Sequence, residues 1–353
     1  MMHSHFIKSF CIVLTSALLF AGIDACKKDT DTFIPTGTTT TVIKKDTAVF
    51  LDFSSQPPRD SSTITLLDIE KMIDTLRSPM LKDTIADADN GGNISKNLSL
   101  GTLSIICPGK GFLQKPNGAP CKGKLNIDYQ LLTTKTDLIL NDMPTVSDGN
   151  PLVSGGVVRV HISQNGAPVV FARSDVKLTV YYQAKYDGVG PMSYFDGQYY
   201  SRTSFNWKQF SPSTDQQAIS VSGRGDSSIF RMVLDRFTFV NCDRFYNDPN
   251  LVKNFSVKLP PQFSNQNSAV YVAYKDMFTV LKLDGDPTQR AFIIPKYSKG
   301  LPDKAATVVT LSLIKGKYYL ATQSLTNLST QSTISLTPTE ITFDEIKTKL
   351  KTL

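Results

Sequence analysis

Histidine and tryptophan are nearly absent from this chain and cysteine is sparse: its 353 residues hold three histidines, one tryptophan and five cysteines. His3 and His5 stand at the very start, so His161 is the lone imidazole of everything that follows. That excludes Cys/His metal centres of the usual spacing, and neither a metal nor a cofactor is expected. Gly-x-Ser-x-Gly elbows, His-Glu-x-x-His helices, Walker loops and Gly-x-Gly-x-x-Gly turns are also missing. The common signatures of nucleophilic, zinc-dependent and nucleotide chemistry go with them. Ser163 shares a strand face with His161, but a serine two residues along a strand has no elbow and no oxyanion donors. No catalytic residue is assigned, and a non-enzyme is expected. Long apolar runs are lacking too, since the clearest one, residues 10–23, is too short to span a bilayer as a mature helix.

That run has a recognisable setting. Lys8 precedes it, and Asp24-Ala25-Cys26-Lys27-Lys28-Asp29 follows it, with a small residue immediately before the cysteine. The pattern resembles a bacterial lipoprotein precursor. The resemblance implies removal of residues 1–25 as a signal peptide and lipidation of Cys26 by a diacylglyceryl thioether and an N-acyl chain of the palmitate type. At about 0.8 kcal/mol per buried methylene, two or more chains anchor stably where one binds transiently. The Cys-Lys-Lys-Asp start resembles lipoproteins of the Bacteroidetes, which implies the outer membrane, facing the periplasm or, preferentially, the cell surface.

The 328 residues that remain suit two domains. Hydrophobic content of 41% and aromatic content of 10% are ordinary for a globular chain. A net charge of +7 and a pI near 9.0 raise the question of an acidic partner. The lysines, however, scatter: Lys27, Lys28, Lys44 and Lys45 fall near the start, Lys347, Lys349 and Lys351 at the end. This reads as a solvated face, and no nucleic-acid partner is expected. Once Cys11 leaves and Cys26 is lipidated, Cys107, Cys121 and Cys242 remain. Cys107 and Cys121 flank a Gly- and Pro-containing turn region, and two readings stay open: a disulfide, or two buried thiols on neighbouring strands.

Along the chain, residues 26–63 are rich in Thr, Ser, Asp, Lys and Pro and are expected to form a lipid anchor and flexible tether, with a short strand at 48–53. Residues 64–94 are expected to hold a short helix near 66–77 and then a loop, because Leu66, Ile69, Met72, Ile73 and Leu76 recur at helical spacing up to Pro79. Asp87-Ala-Asp89-Asn-Gly91 reads as a plain turn. From Leu98 the period becomes two. Leu125, Ile127, Tyr129 and Leu131 form one row, Val158, Val160 and Ile162 another, and Val176, Leu178, Val180 and Tyr182 a third. Asn165-Gly166 signals a hairpin between the latter two. Phe230, Met232 and Leu234 run out of phase with Phe237 and Phe239, which predicts a bulge near Asp235. Lys315-Gly316 marks a tight turn, and Thr342-Phe343-Asp344-Glu345 is a capping box opening a helix near 343–351.

The expected fold is mainly β, with two β-sandwich-like domains at 95–185 and 229–340, an irregular connector at 186–228 and a C-terminal helix within 341–353. Leu131 to Leu140, Met143-Pro144-Thr145, Leu152 to Gly156 and Ser163 to Gly166 together resemble a module of uncharacterised Bacteroidetes cell-surface lipoproteins. Phe195-Asp-Gly197, Trp207, Val240 to Tyr246 and Tyr318-Tyr319-Leu320 are similar to the same proteins, so the likeness covers most of residues 95–335. The first part faintly resembles the ZU5-type β-sandwich. That likeness implies a module for contacts rather than chemistry.

The chain is therefore expected to be a non-catalytic binding or structural module. Its partners are the membrane through its lipid and a glycan or another envelope protein, with the oligomeric state open. Phe205, Trp207 and Phe210 are either a ligand-stacking platform or a plug between domains. Thr47, Thr75 and Thr84 follow aspartates in a pattern that resembles the O-glycosylation acceptor of Bacteroidetes. Arg224-Gly225-Asp226 is ordinary turn chemistry. An alternative reading is a carboxylate-based glycan hydrolase or an accessory glycan-binding lipoprotein of an uptake system. Asp137, Asp142, Asp148, Asp196, Asp235 and Asp243 are the carboxylates from which a hydrolytic pair would be drawn.

Overall fold

The computed structural model describes residues 47–51, 67–98, 101–109, 111–172, 177–187, 189–201, 204–210, 219–223 and 225–353. Strands account for 52% and helices for 10%, arranged as several antiparallel sheets. Cys26 and Arg224 lie outside the described residues, as does most of the stretch expected to be the tether.

The first sheet runs in the order Leu81–Ile85, Leu125–Leu132, Asn150–Gln164, Phe239–Phe245, Ser193–Ser201, Ser204–Phe210. A second sheet, in the order Ile219–Ser222, Gly225–Leu234, Leu178–Tyr186, Gly101–Cys107, Gly92–Leu98, supplies the other half of a hydrophobic core shared by the two. The rows read from the sequence fill it: Leu125, Ile127, Val158, Val160, Ile162, Leu178, Val180, Tyr182, Phe230 and Met232 are wholly buried. Tyr182 and Phe230 stack there, ring centres 5.2 Å apart. Burying rows like these removes large apolar areas from water at about 25 cal/mol per Å².

Several expectations need correction. The segment 186–228 is not irregular, because it contains the strands Ser193–Ser201, Ser204–Phe210 and Ile219–Ser222. Gly225–Leu234 pairs with Leu178–Tyr186, and Phe239–Phe245 with Asn150–Gln164, so the sheets run across the expected break and the first sandwich extends from 81 to 245. Residues 81–85 and 92–94, expected within a loop, belong to the strands Leu81–Ile85 and Gly92–Leu98 of the two sheets. The phase change after Leu234 is no bulge: the chain leaves the second sheet and enters the first at Phe239. Asn165-Gly166 does make a two-residue turn with both φ positive, but its return strand is only Ala167–Pro168. Pro168 has no N–H to extend the ladder, and the 178–186 strand belongs to the other sheet.

The third sheet runs in the order Thr333–Ser335, Ser256–Lys258, Ala291–Ile293, Val280–Asp286, Ser268–Tyr274, Ala306–Ile314, Lys317–Leu325, Thr339–Ile341. Ser268–Tyr274 is buried at every residue. Its alternation divides it between two cores. Ala269, Tyr271 and Ala273 face the first sheet together with Phe195, Trp207, Val309 and Leu311, whereas Val270, Val272 and Tyr274 join a separate core with Val257, Phe292 and Ile334. The helices Asp68–Leu76, Lys135–Leu140 and Phe343–Leu350 add Met72, Ile139 and Ile346 to the core between the first and third sheets. The expected capping box forms at Thr342, whose hydroxyl accepts from the Glu345 amide at 3.3 Å while the Glu345 carboxylate accepts from the Thr342 amide at 2.9 Å. Lys315 and Gly316 both take positive φ in the turn expected of them.

Residues 47–51 show no strand. They are an extended strap held by side-chain amides: Asn265 accepts from the Leu51 N–H at 2.9 Å and donates to its carbonyl at 2.6 Å. Phe50 is buried edge-on against Phe292, ring centres 5.4 Å apart.

Candidate functional site

The strand Val280–Asp286 changes neighbours partway. Val280 to Leu283 pair with Ser268–Tyr274, while Asp284 to Asp286 pair with Ala291–Ile293. At that switch Asn265 packs against the backbone of Gly285, where a Cβ would stand 2.5 Å from the Asn265 Cβ. One strand face carries Val280, Lys282, Asp284 and Asp286 in turn, of which Val280 and Asp286 are buried, Lys282 half-buried and Asp284 exposed.

Val280 closes the inner end. Its N–H donates to the Thr145 hydroxyl at 3.0 Å, and the Thr145 N–H donates to its carbonyl at 2.7 Å. Next, Lys282 lies 2.8 Å from the buried Asp142 carboxylate, which also accepts from the Tyr271 hydroxyl at 2.7 Å. This satisfies a carboxylate that is only 1% exposed. Burial and the neighbouring Asp142 charge push the Tyr271 phenol well above its ordinary range.

Asp284 and Asp286 open into a cleft of about 330 Å³. Pro144, Val146, Pro151, Ser204 and Phe205 form the wall on the side of the first sheet; Pro287, Thr288, Pro295, Lys296, Tyr297 and Ser298 form the rim on the other. Asp286 is 8% exposed and accepts from the Gln289 amide at 2.8 Å. Asp284 has no hydrogen-bond or ion-pair partner among the described residues. Its carboxyl reaches solvent, yet the enclosing walls hold its pKa above the ordinary carboxylate value, an effect that the Lys282 charge partly offsets. Tyr297 keeps 63% of its surface exposed, and its phenol is raised by local burial and by Asp284.

The rim is fixed by a turn from the other side. Asp148 and Gly149 take φ values of 46° and 76° between the short strand Val146–Ser147 and Asn150. Gly149 accepts from the Lys299 amide at 2.9 Å. Its missing Cβ makes room for the Tyr297 carbonyl, which would lie 2.2 Å away. Asn206 clamps the same turn through two 3.0 Å bonds with Asp148.

The expected site residues fall elsewhere. Phe205 and Trp207 are 5% and 0% exposed, packed edge-on at 4.7 Å in the core between the first and third sheets, so the tryptophan is a plug and not a platform. Phe205 alone touches the cleft. Phe210 is half-buried under the Arg236 guanidinium, 3.8 Å from its centroid. Cys107 and Cys121 are unbridged buried thiols, as is Cys242, and burial raises Cys107 to about 12. Thr47, Thr75 and Thr84 are all exposed, the second on a helix and the third on an edge strand. His161 is half-buried opposite Asp128 and takes no part in the cleft.

The six carboxylates considered from sequence do not converge on it either. Asp137 caps a helix, Asp142 pairs with Lys282, Asp148 holds the turn, Asp196 and Asp235 meet Arg236, and Asp243 is wholly buried with its carboxyl raised by that burial. Among the described residues no group of acidic, His and Cys side chains is arranged to hold a metal ion. Sequence reasoning missed Asp284, Asp286 and Tyr297. The signal was present in Lys282-Leu-Asp284-Gly-Asp286, where period two puts three charges on one face of a strand bounded by Pro287.

Comparison with known proteins finds no matching family model, no similar curated protein and no similar solved structure.

Proposed function

We propose that this chain is a non-catalytic binding module of the bacterial cell surface, held in the outer membrane by lipid on Cys26, with its ligand seated in the cleft beside the partner switch of the third sheet. The observation that carries the reading is the cleft itself: a volume at the small end of the range of ligand pockets, about 300–1,000 Å³, with apolar walls and a few convergent polar groups. Its two carboxylates are i and i+2 on one strand, so they stand on the same wall. A glycosidase places its pair on either side of the scissile bond, and this arrangement favours holding over cutting. Among the described residues the cleft lining holds no histidine or cysteine.

The anchor part of the reading rests on the leader and Cys26. No helix among the described residues is long and apolar enough to cross a membrane, and lipid is the attachment proposed. Expressed in a bacterial host, the wild-type chain incorporates labelled palmitate and sediments with membranes, and Cys26→Ser loses both. Retention of label in Cys26→Ser would overturn it. The cleft part is tested by a thermal-shift screen of small polar compounds against wild type and Ser204→Trp, which fills the cleft. Ligands that stabilise wild type only, and are recovered chemically unchanged, are expected. Stabilisation equal in both proteins would place the ligand elsewhere, and recovery of cleaved product would favour the hydrolase alternative.

A further inference from the structure

The cleft is neither plainly anionic nor plainly apolar, and that mixture narrows what fits it. Asp284 and Asp286 present acceptors side by side, two residues apart on one strand, with a Cα separation of about 6.6 Å at the usual strand rise. Lys282 is paired with Asp142 at 2.8 Å, so its charge offsets that of Asp284 only in part. Lys296 stands exposed at the rim and Thr288 and Ser298 add hydroxyls, so donors accompany the acceptors. Tyr297 offers an exposed ring face beside proline walls. A ligand complementary to all of these has an apolar face and, around its edge, hydroxyls that both donate and accept. A simple amine satisfies the carboxylates but leaves Lys296 and the hydroxyls unmatched, and the chain's net charge of +7 opposes its approach.

We propose that the cleft binds a neutral saccharide of one or two pyranose rings, whose C–H face lies on Tyr297 and whose hydroxyls donate to Asp284 and Asp286. The proposal rests on the reading of the cleft as the binding site. A partly desolvated carboxylate such as Asp284, which accepts no hydrogen bond among the described residues and is only partly offset by Lys282, gains from several O–H donors. Phe205 couples the site to the sole tryptophan: it lines the cleft on one side and packs on Trp207 on the other. Occupancy is therefore reported by Trp207 emission.

The test is titration calorimetry with Trp207 fluorescence on the full mature chain, using glucose, galactose, mannose, N-acetylglucosamine and their common disaccharides, with spermidine and glucuronate as charged probes. At least one neutral sugar is expected to bind and shift the emission, with Tyr297→Ala weakening it about tenfold and Tyr297→Phe leaving it within a few-fold. Asp284→Asn, which keeps an acceptor oxygen, is expected to bind sugar better than Asp284→Ala. Binding of spermidine without any neutral sugar, abolished by Asp284→Asn, would overturn the saccharide assignment and leave the cleft standing. Sugar binding that survives both Tyr297→Ala and Ser204→Trp would overturn the cleft as well. Absence of binding by every neutral sugar at about 10 mM, with circular dichroism confirming the fold, would also overturn the proposal.

Discussion

The junction between the first and third sheets has two ends built from one strand, and they differ in almost every property. At the inner end Val280, Tyr271 and Trp207 are excluded from water and every charge has a partner, as Lys282 and Asp142 show. At the outer end, four residues on, Asp284 has no hydrogen-bond or ion-pair partner among the described residues and Tyr297 is 63% exposed. The inner end is dry and close-packed, although the buried Trp207 Nε1–H has no acceptor among the described residues; the outer end leaves a carboxylate and a ring open to solvent. Functional sites are where such open groups collect, because a group satisfied within the fold has little left to offer a ligand.

The contrast is broken most severely from the inside. Trp207→Ala removes the largest wholly buried side chain and is expected to cost ~3–5 kcal/mol in urea unfolding. A cost below about 1 kcal/mol would mean that the inner end is not a packed core. At the outer end, Gly149→Ala puts a Cβ against the Tyr297 carbonyl at a φ of 76°. A loss of ~1–3 kcal/mol is expected, together with weaker ligand binding through displacement of the rim. Unchanged affinity would show that the turn does not set the position of Tyr297.

A smaller effect follows from Asp284. Its folded-state pKa is raised above the unfolded value of 3.8, so above its folded pKa the ionised carboxylate costs the native state, and below 3.8 it is neutral in both states and the cost disappears. Asp284→Asn should therefore unfold at a higher urea concentration than wild type at pH 7, and the gain should fade as pH falls through the folded pKa toward 3.8. A stabilisation equal at pH 3 and pH 7 would contradict this origin. The smallest effect expected is none: reducing agent should leave the unfolding midpoint unchanged, since Cys107 and Cys121 are separate thiols in the first sandwich. A bridge closing that loop would contribute about 3 kcal/mol in the chain-entropy model, so a fall in midpoint of that size would restore the disulfide.

Much of the fold was legible because local signals and tertiary burial agree. The rows at 125–131, 158–162 and 178–182 alternate and are buried on the expected side, and the turns at Asn165-Gly166 and Lys315-Gly316 take the positive φ that those residues favour. Connections between strands were less legible. Phe237 and Phe239 change phase because the chain changes sheets, which looks in sequence like a bulge. The 186–228 segment hides its strands behind Gly, Ser and Tyr, since Ser193–Ser201 draws its register from Phe239–Phe245 far along the chain. The lone tryptophan was open to a surface role or a plug, and its size suits the middle of a core, where it lies, whereas Tyr297, one of 13 tyrosines, holds the exposed position.

Amide chemical-shift mapping during a saccharide titration tests the central claim most directly. Perturbations are expected to centre on Asp284, Asp286, Tyr297 and Phe205, around the cleft at the partner switch of the third sheet. Perturbations centred on the outer face of the second sheet, around Ile106 and Ile229, would contradict it.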